Sequence, residues 1–307
     1  MINFIIHPGI VKTGTTFFQH NIIPKINASL NIGKPYDNKF SKKIKKIFYV
    51  KNKQKKEIFK LSEMIFKYYK KNQIDNLIFS DEMILDSEFY DTRSNLEKIN
   101  ELIKQLRKKI KLRVFILITT RSQEKLIMSR YSYIFPLFQD KYNSIDDYVE
   151  KNLNLNSYFF SSLKINYIKK KLKKKIKTNN NFLKIKFLEK KKKKYLKVLN
   201  SFLDRYFNNQ KINFSKINHN SKDNLFFVRK KNIWYKIYLN LHKLNNFKLV
   251  KLIVSFSKIN LFFYKKIKLK KTDERINIDN DTLKKIQNYY RKDNILLYQK
   301  YGIKYFK

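Results

Sequence analysis

With 307 residues, 43% hydrophobic and 16% aromatic side chains, the chain carries enough apolar material to bury a core, so disorder is not what its composition implies. It has no cysteine, which excludes disulfides, thiolate metal sites and a cysteine nucleophile, and its four histidines (His7, His20, His219, His242) lack metal-ligand spacing. The net charge of +46 favours anionic partners, but abundant Lys, Asn, Ile, Phe and Tyr beside four Gly and four Pro is the pattern of an AT-rich coding sequence; no nucleic-acid-binding signature accompanies it, so nucleic acid is not an expected partner.

In chain order, Phe4-Ile5-Ile6-His7-Pro8 reads as a buried strand. Gly9 to Gly14 form a loop, and Thr15 to about Leu30 a helix with Phe17, Phe18, Ile22 and Ile23 on one side; Pro24 predicts a kink or an early end. Residues 34–56 read as a lysine-rich connector without clear period. Ile58, Leu61, Ile65 and Tyr68 or Tyr69 recur at helical spacing over 57–69, and 76–80 is a short buried strand ending in Asp81-Glu82. A helix over 93–110 carries Leu96, Ile99, Ile103 and Leu106 on one face. Residues 114–118 form the clearest buried strand, ending at Thr119-Thr120-Arg121, and a helix over 123–133 follows.

The alternation of continuous apolar strands with helices predicts a parallel α/β sheet, whose ligands bind beyond the carboxyl ends of the strands. Lys12, Glu82 and Arg121 each lie just past such an end. Farther along, 158–177 reads as a very basic helix, 182–188 as a further strand at a sheet edge, 192–207 as a helix with a solvated start at Lys190–Lys194, and 281–301 as a helix stopped by Gly302. Residues 225–275 mix lysine with large apolar groups. Over 225–270 they fit either core-packing amphipathic helices or a basic amphipathic surface lying on an anionic bilayer. No secretory leader and no apolar run of membrane-spanning length are visible, so a cytoplasmic location is expected, with contact at the inner membrane face left open.

Two stretches carry chemistry. Gly9-x4-Gly14 invites a Walker A reading, but Thr15 stands where that motif has its lysine, and Lys12 precedes Gly14 by two residues. By itself the loop is also compatible with an ordinary strand-to-helix turn. Arg121 and Ser129 stand eight residues apart, the first after the strongest strand and the second on the next helix, a pairing of guanidinium and hydroxyl that suits a phosphate.

Together, Lys12-Thr13-Gly14-Thr15-Thr16 and Arg121…Ser129 resemble the 5′- and 3′-phosphate motifs of sulfotransferases that use 3′-phosphoadenosine 5′-phosphosulfate (PAPS). Ser80-Asp81-Glu82, Tyr290–Leu297 and Tyr301-Gly302-Ile303 are similar to the bacterial branch of that family. The resemblance is strong over 1–135, weak over 180–222 and visible again over 281–305. It implies a single domain with a three-layer P-loop-NTPase-like α/β fold, a central parallel sheet flanked by helices, and the 225–275 segment within it. It further implies that the loop amides with Thr13, Gly14, Thr15 and Thr16 hold the 5′-phosphate, Lys12 faces the bridging oxygen, and Arg121 and Ser129 hold the 3′-phosphate. No metal is implied. Glu82 is the expected base, with Asp81 and His20 as competitors, and the resemblance implies a hydroxyl or amine acceptor, of a carbohydrate or surface glycan by family analogy. The Gly-rich adenosine loop of many members is missing, and Asn220, Ser221 and Arg229 are weak candidates to close the pocket. A non-catalytic basic nucleotide- or polyanion-binding protein and a P-loop kinase-like enzyme are the alternatives; the kinase lacks its lysine after Gly14. Acceptor identity and oligomeric state are not readable from the sequence.

Overall fold

The computed structural model describes residues 1–9, 13, 15–48, 55–84, 93–138, 141–155, 157–176, 183–189, 197, 200–201, 204, 227–228 and 274–305. Lys12, Gly14, Asn220, Ser221, Arg229, most of the 192–207 helix and nearly all of 225–275 lie outside them. The chain divides into two compact units. One comprises Met1–Gln123, Asn156–Asn218 and Tyr290–Lys307, the other Glu124–Leu155 and His219–Tyr289.

The first unit is built on strands β1 (Ile2–Pro8), β2 (Ser29–Asn31), β3 (Asn76–Asp81), β4 (Leu112–Thr120) and β5 (Leu183–Glu189), in the order β2-β3-β1-β4-β5. All neighbouring pairs are parallel, giving the expected α/β architecture with β5 at an edge. Every residue of β1 and β3 is buried, which is why these strands read as near-continuous apolar runs rather than as alternations. Between them come helices α1 (Thr15–Phe17), α2 (Lys39–Phe48), α3 (Lys55–Asn72), α4 (Arg93–Arg107), α5 (Gln123–Phe138), α6 (Ile145–Asn154), α7 (Tyr158–Ser162) and α8 (Ile165–Lys175), and α9 (Asn280–Tyr301) closes the chain.

Helices α2, α3, α4 and α8 pack in succession. Leu96, Ile99, Ile103 and Leu106 on α4 are all buried, each contributing roughly 1.5–3 kcal/mol of hydrophobic stabilisation as an upper estimate. Lys98 on the same helix is buried too, and its Nζ donates to the Ile47 carbonyl at 2.9 Å, satisfying one of the acceptors left at the end of α2.

Three expectations are corrected. The helix after the first loop does not reach Leu30; it passes from α1 through a π turn (Phe18–Ile22) and a 3-10 turn ending at Lys25. Pro24 lacks an N–H and sits in that last turn, and Ala28 turns the chain at φ 45, so Ser29-Leu30-Asn31 pairs with β3 instead. The 34–56 connector contains α2, whose Phe40, Ile44, Ile47 and Phe48 are buried at helical spacing beneath an otherwise lysine-rich face. The 158–177 helix is two, α7 and α8, separated at Leu163-Lys164. The last helix, α9, matches the expected 281–301 span to within one residue, buries Ile286, Tyr290 and Leu297 on one side, and stops before Gly302 at φ 64.

In the second unit, Ser144 caps α6 by accepting from the Asp147 amide at 3.1 Å. The Tyr131 ring lies tilted against Tyr148, which meets Tyr142 edge-on. Burial, with the charges of Asp146 and Asp147, raises the Tyr131 phenol above its ordinary value. No helix among the described residues is long and apolar enough to cross a membrane.

Candidate functional site at the carboxyl ends of the central strands

The strand order decides where a ligand can sit. Crossovers between parallel strands are right-handed, so the chain leaving β1 leftward toward β2 covers one face of the sheet. The connections β2→β3, β3→β4 and β4→β5 all run the other way across the sheet and cover the opposite face. At the carboxyl end of β1 the connection therefore goes to one face while those of both neighbours go to the other, the switch point at which parallel α/β sheets take ligands. Gly9, Glu82 and Arg121, from three distant parts of the chain, follow directly on three adjacent strands.

Gly9, the first residue after β1, lies against Thr15 and Glu82. A Cβ on Gly9 would come within 2.6 Å of Thr15 Cγ2 and within 3.1 Å of Glu82 Cγ, so only glycine allows Thr15 and Glu82 to converge on that backbone. Thr15 is buried, and its Oγ1 has no hydrogen-bond partner. An orphaned buried hydroxyl costs about 1–3 kcal/mol, the kind of deficit that an arriving acceptor makes good. Thr16 next to it is exposed. An anion fits this cradle: it supplies acceptors to a donor hydroxyl, to first-turn amides and to the lysine that the sequence places in the loop.

Beneath the loop lies a buried polar chain that the sequence did not reveal. His7 is fully buried, with Nδ1 2.7 Å from Ser80 Oγ, Nε2 3.3 Å from Thr119 Oγ1, and its ring 4.3 Å from that of Phe18. Thr119 Oγ1 is 2.7 Å from Thr13 Oγ1. Gln19 Nε2 lies 3.3 Å from both the Ser80 carbonyl and the Ser80 hydroxyl. Because a carbonyl only accepts, the Gln19 amide must present its N–H₂, and the Ser80 hydroxyl then has its own proton to give to His7 Nδ1. A neutral His7 ring donates through one nitrogen and accepts through the other, so Ser80 and Thr119 take opposite roles toward it, and the Thr13–Thr119 hydroxyl pair can run in either direction. Burial lowers the His7 pKa from 6.5 to about 3, consistent with a ring held neutral. The signal was present as polar residues near the ends of three strands, His7, Ser80-Asp81 and Thr119-Thr120, but only the pairing of the strands makes them neighbours.

The carboxylates after β3 share one cation. Lys34 Nζ lies 2.6 Å from Glu82 Oε2 and 3.7 Å from Asp81 Oδ1. The Tyr36 hydroxyl donates to the other Asp81 oxygen. Asp81 is 1% exposed and Glu82 20%, so of the two it is Glu82 that solvent reaches and that abuts the loop. His20, the other competitor for the base, is exposed on the π turn.

Arg121 is half-buried at the end of β4, and burial lowers its guanidinium pKa, so an anion arriving there meets a partly dehydrated cation. Ser129 is buried on α5 within the second unit, its Oγ without a hydrogen-bond partner. The C-terminal stretch of the first unit returns to β4: Gln123 Nε2 donates to Asn294 Oδ1 at 2.8 Å, and the Tyr305 and Thr120 hydroxyls hydrogen-bond. Among the described residues there is no His, Cys, Asp and Glu grouping suited to a metal. The sequence matches no protein-family model, and a search of curated proteins finds no significant relative.

Proposed function

We propose that this protein is a PAPS-dependent sulfotransferase on a P-loop-like three-layer α/β scaffold, acting on a hydroxyl or amine of an acceptor, with carbohydrate as the favoured class. One observation carries the reading: Gly9, directly after β1 at the topological switch point, lies against a buried Thr15 whose hydroxyl has no hydrogen-bond partner, and Glu82 stands at its side. A parallel sheet in the order β2-β3-β1-β4-β5 with an anion loop after β1 is the framework that such chemistry needs.

In this reading the donor supplies the sulfuryl group. Thr13, Thr15, Thr16 and the loop amides hold its 5′-phosphate, Lys12 neutralises charge on the bridging oxygen, and Arg121 anchors the 3′-phosphate. Glu82 takes the acceptor's proton. Asp81, already engaged by Tyr36 and Lys34 and closed to solvent, is the structural member of the pair.

The test is direct. Calorimetric titration with adenosine 3′,5′-bisphosphate is expected to show binding that Lys12→Ala and Arg121→Ala each weaken, and labelled PAPS with a panel of glycans is expected to yield a labelled acceptor. Unchanged nucleotide affinity in both variants would refute the site, and binding without transfer to any acceptor would refute the activity.

A further inference from the structure

Strand β4 ends at Thr120 and leads through Arg121 to Gln123, the first residue of α5, where α9 meets it: Gln123 Nε2 donates to Asn294 Oδ1 at 2.8 Å. Gln123 is 2% exposed and Asn294 half-buried, and both belong to the first unit. A carboxamide has one acceptor oxygen and one donor nitrogen, so two facing carboxamides can close two bonds and satisfy each other. This pair closes one. Gln123 Oε1 and Asn294 Nδ2 are left buried without a hydrogen-bond partner. The result does not depend on which way the amides are turned: with both reversed, Asn294 would donate to Gln123, and one donor nitrogen and one acceptor oxygen would still be left over.

Buried donors and acceptors are paired as a rule. These two flank a single hydrogen bond two residues after Arg121, at the end of the sheet where parallel α/β folds take ligands. A group that completes them offers a donor and an acceptor from one rigid body. The edge of an adenine ring does so: its 6-amino group donates and the ring nitrogen beside it accepts, the pattern that Asn and Gln side chains read in nucleic acids. We propose that Gln123 and Asn294 read the base of the donor nucleotide, the leftover oxygen accepting from the 6-amino group and the leftover nitrogen donating to the neighbouring ring nitrogen. This rests on the sulfotransferase reading above, in which Arg121 takes a phosphate of the same nucleotide. The pair selects which nucleotide is held and takes no part in sulfuryl transfer.

Calorimetry of the wild-type protein with adenosine 3′,5′-bisphosphate and with purine riboside 3′,5′-bisphosphate, which differs only in lacking the 6-amino group, reads the contact. The purine riboside is expected to bind roughly 10- to 100-fold more weakly, because it leaves the acceptor oxygen buried and unpaired. The double variant Gln123→Leu with Asn294→Leu removes both amides and is expected to bind the two nucleotides equally, within about twofold. A second measurement needs no variant: the side-chain amide resonances of Gln123 and Asn294, followed by NMR, are expected to shift when adenosine 3′,5′-bisphosphate is added. Equal wild-type affinities, as when water alone fills the pair, overturn the base contact and leave the sulfotransferase reading standing. So does a gap that persists in the double variant, and so do amide resonances that stay where they were in the nucleotide-bound protein. Wild-type protein that binds neither nucleotide overturns both.

Discussion

Both ends of the central sheet hold buried polar residues, but they are built differently. At the amino end, Asn3 Nδ2 donates to Asn76 Oδ1 at 3.1 Å, Arg113 Nε donates to Asn3 Oδ1 at 3.0 Å, and Asn76 Nδ2 donates to the Asn27 carbonyl at 3.4 Å. That network ties β1, β3 and β4 to one another and to the turn before β2. At the carboxyl end, the chain from Gln19 through Ser80, His7 and Thr119 to Thr13 runs up to the loop, where the Thr15 hydroxyl has no partner and Asp81 and Glu82 share Lys34. Closed networks hold a fold together. An open one, at the edge where parallel sheets bind ligands, marks where an external acceptor completes the bonding.

The contrast can be broken most sharply at Glu82. Glu82→Gln keeps the shape and removes the base, and is expected to lower the transfer rate by roughly 10²- to 10⁴-fold while adenosine 3′,5′-bisphosphate still binds, as measured by initial rates beside calorimetry. Retained turnover would move the base elsewhere.

The next largest effect is on stability in acid. The folded protein keeps His7 neutral down to about pH 3, whereas the unfolded chain takes up that proton near 6.5. The unfolded state therefore binds more protons between those values. The stabilisation is complete above 6.5 and is lost as pH falls toward 3, by on the order of 4 kcal/mol. NMR titration of the His7 ring checks the cause directly, since a midpoint near 6.5 would contradict a buried neutral imidazole.

Gly9→Ala comes third. Its Cβ would collide with Thr15, so the loop must shift; a destabilisation of about 1–3 kcal/mol in urea unfolding is expected, together with loss of nucleotide binding. Asn3→Ala, at the closed end, is expected to cost about 1–2 kcal/mol in the same assay and to leave nucleotide affinity as in wild type. If Asn3→Ala impaired binding as Gly9→Ala does, the two ends would not differ in kind.

Local pattern was enough for the continuous strands β1, β3 and β4, for the amphipathic α3 and α4, and for the helix stop at Gly302, because burial on both faces or on one stripe leaves a period that neighbouring residues display by themselves. It also placed a glycine-bearing loop after β1 and acids after β3. It missed α2, whose four apolar positions are diluted by lysine, and β2, three residues long and masked by the helical run before it.

What no local pattern holds is adjacency across the sheet. His7 meets Ser80 and Thr119, and Lys34 meets Glu82, only because β3 and β4 flank β1 and the end of β2 runs beside β3. Parallel pairing is set by packing between segments dozens of residues apart, and a shift of one residue would turn each of these side chains to the opposite face. The sequence by itself determined which chemistry could assemble at the ends of the strands. The tertiary structure decided which of those groups touch, and with that, which carboxylate stands at the loop and which cation holds it.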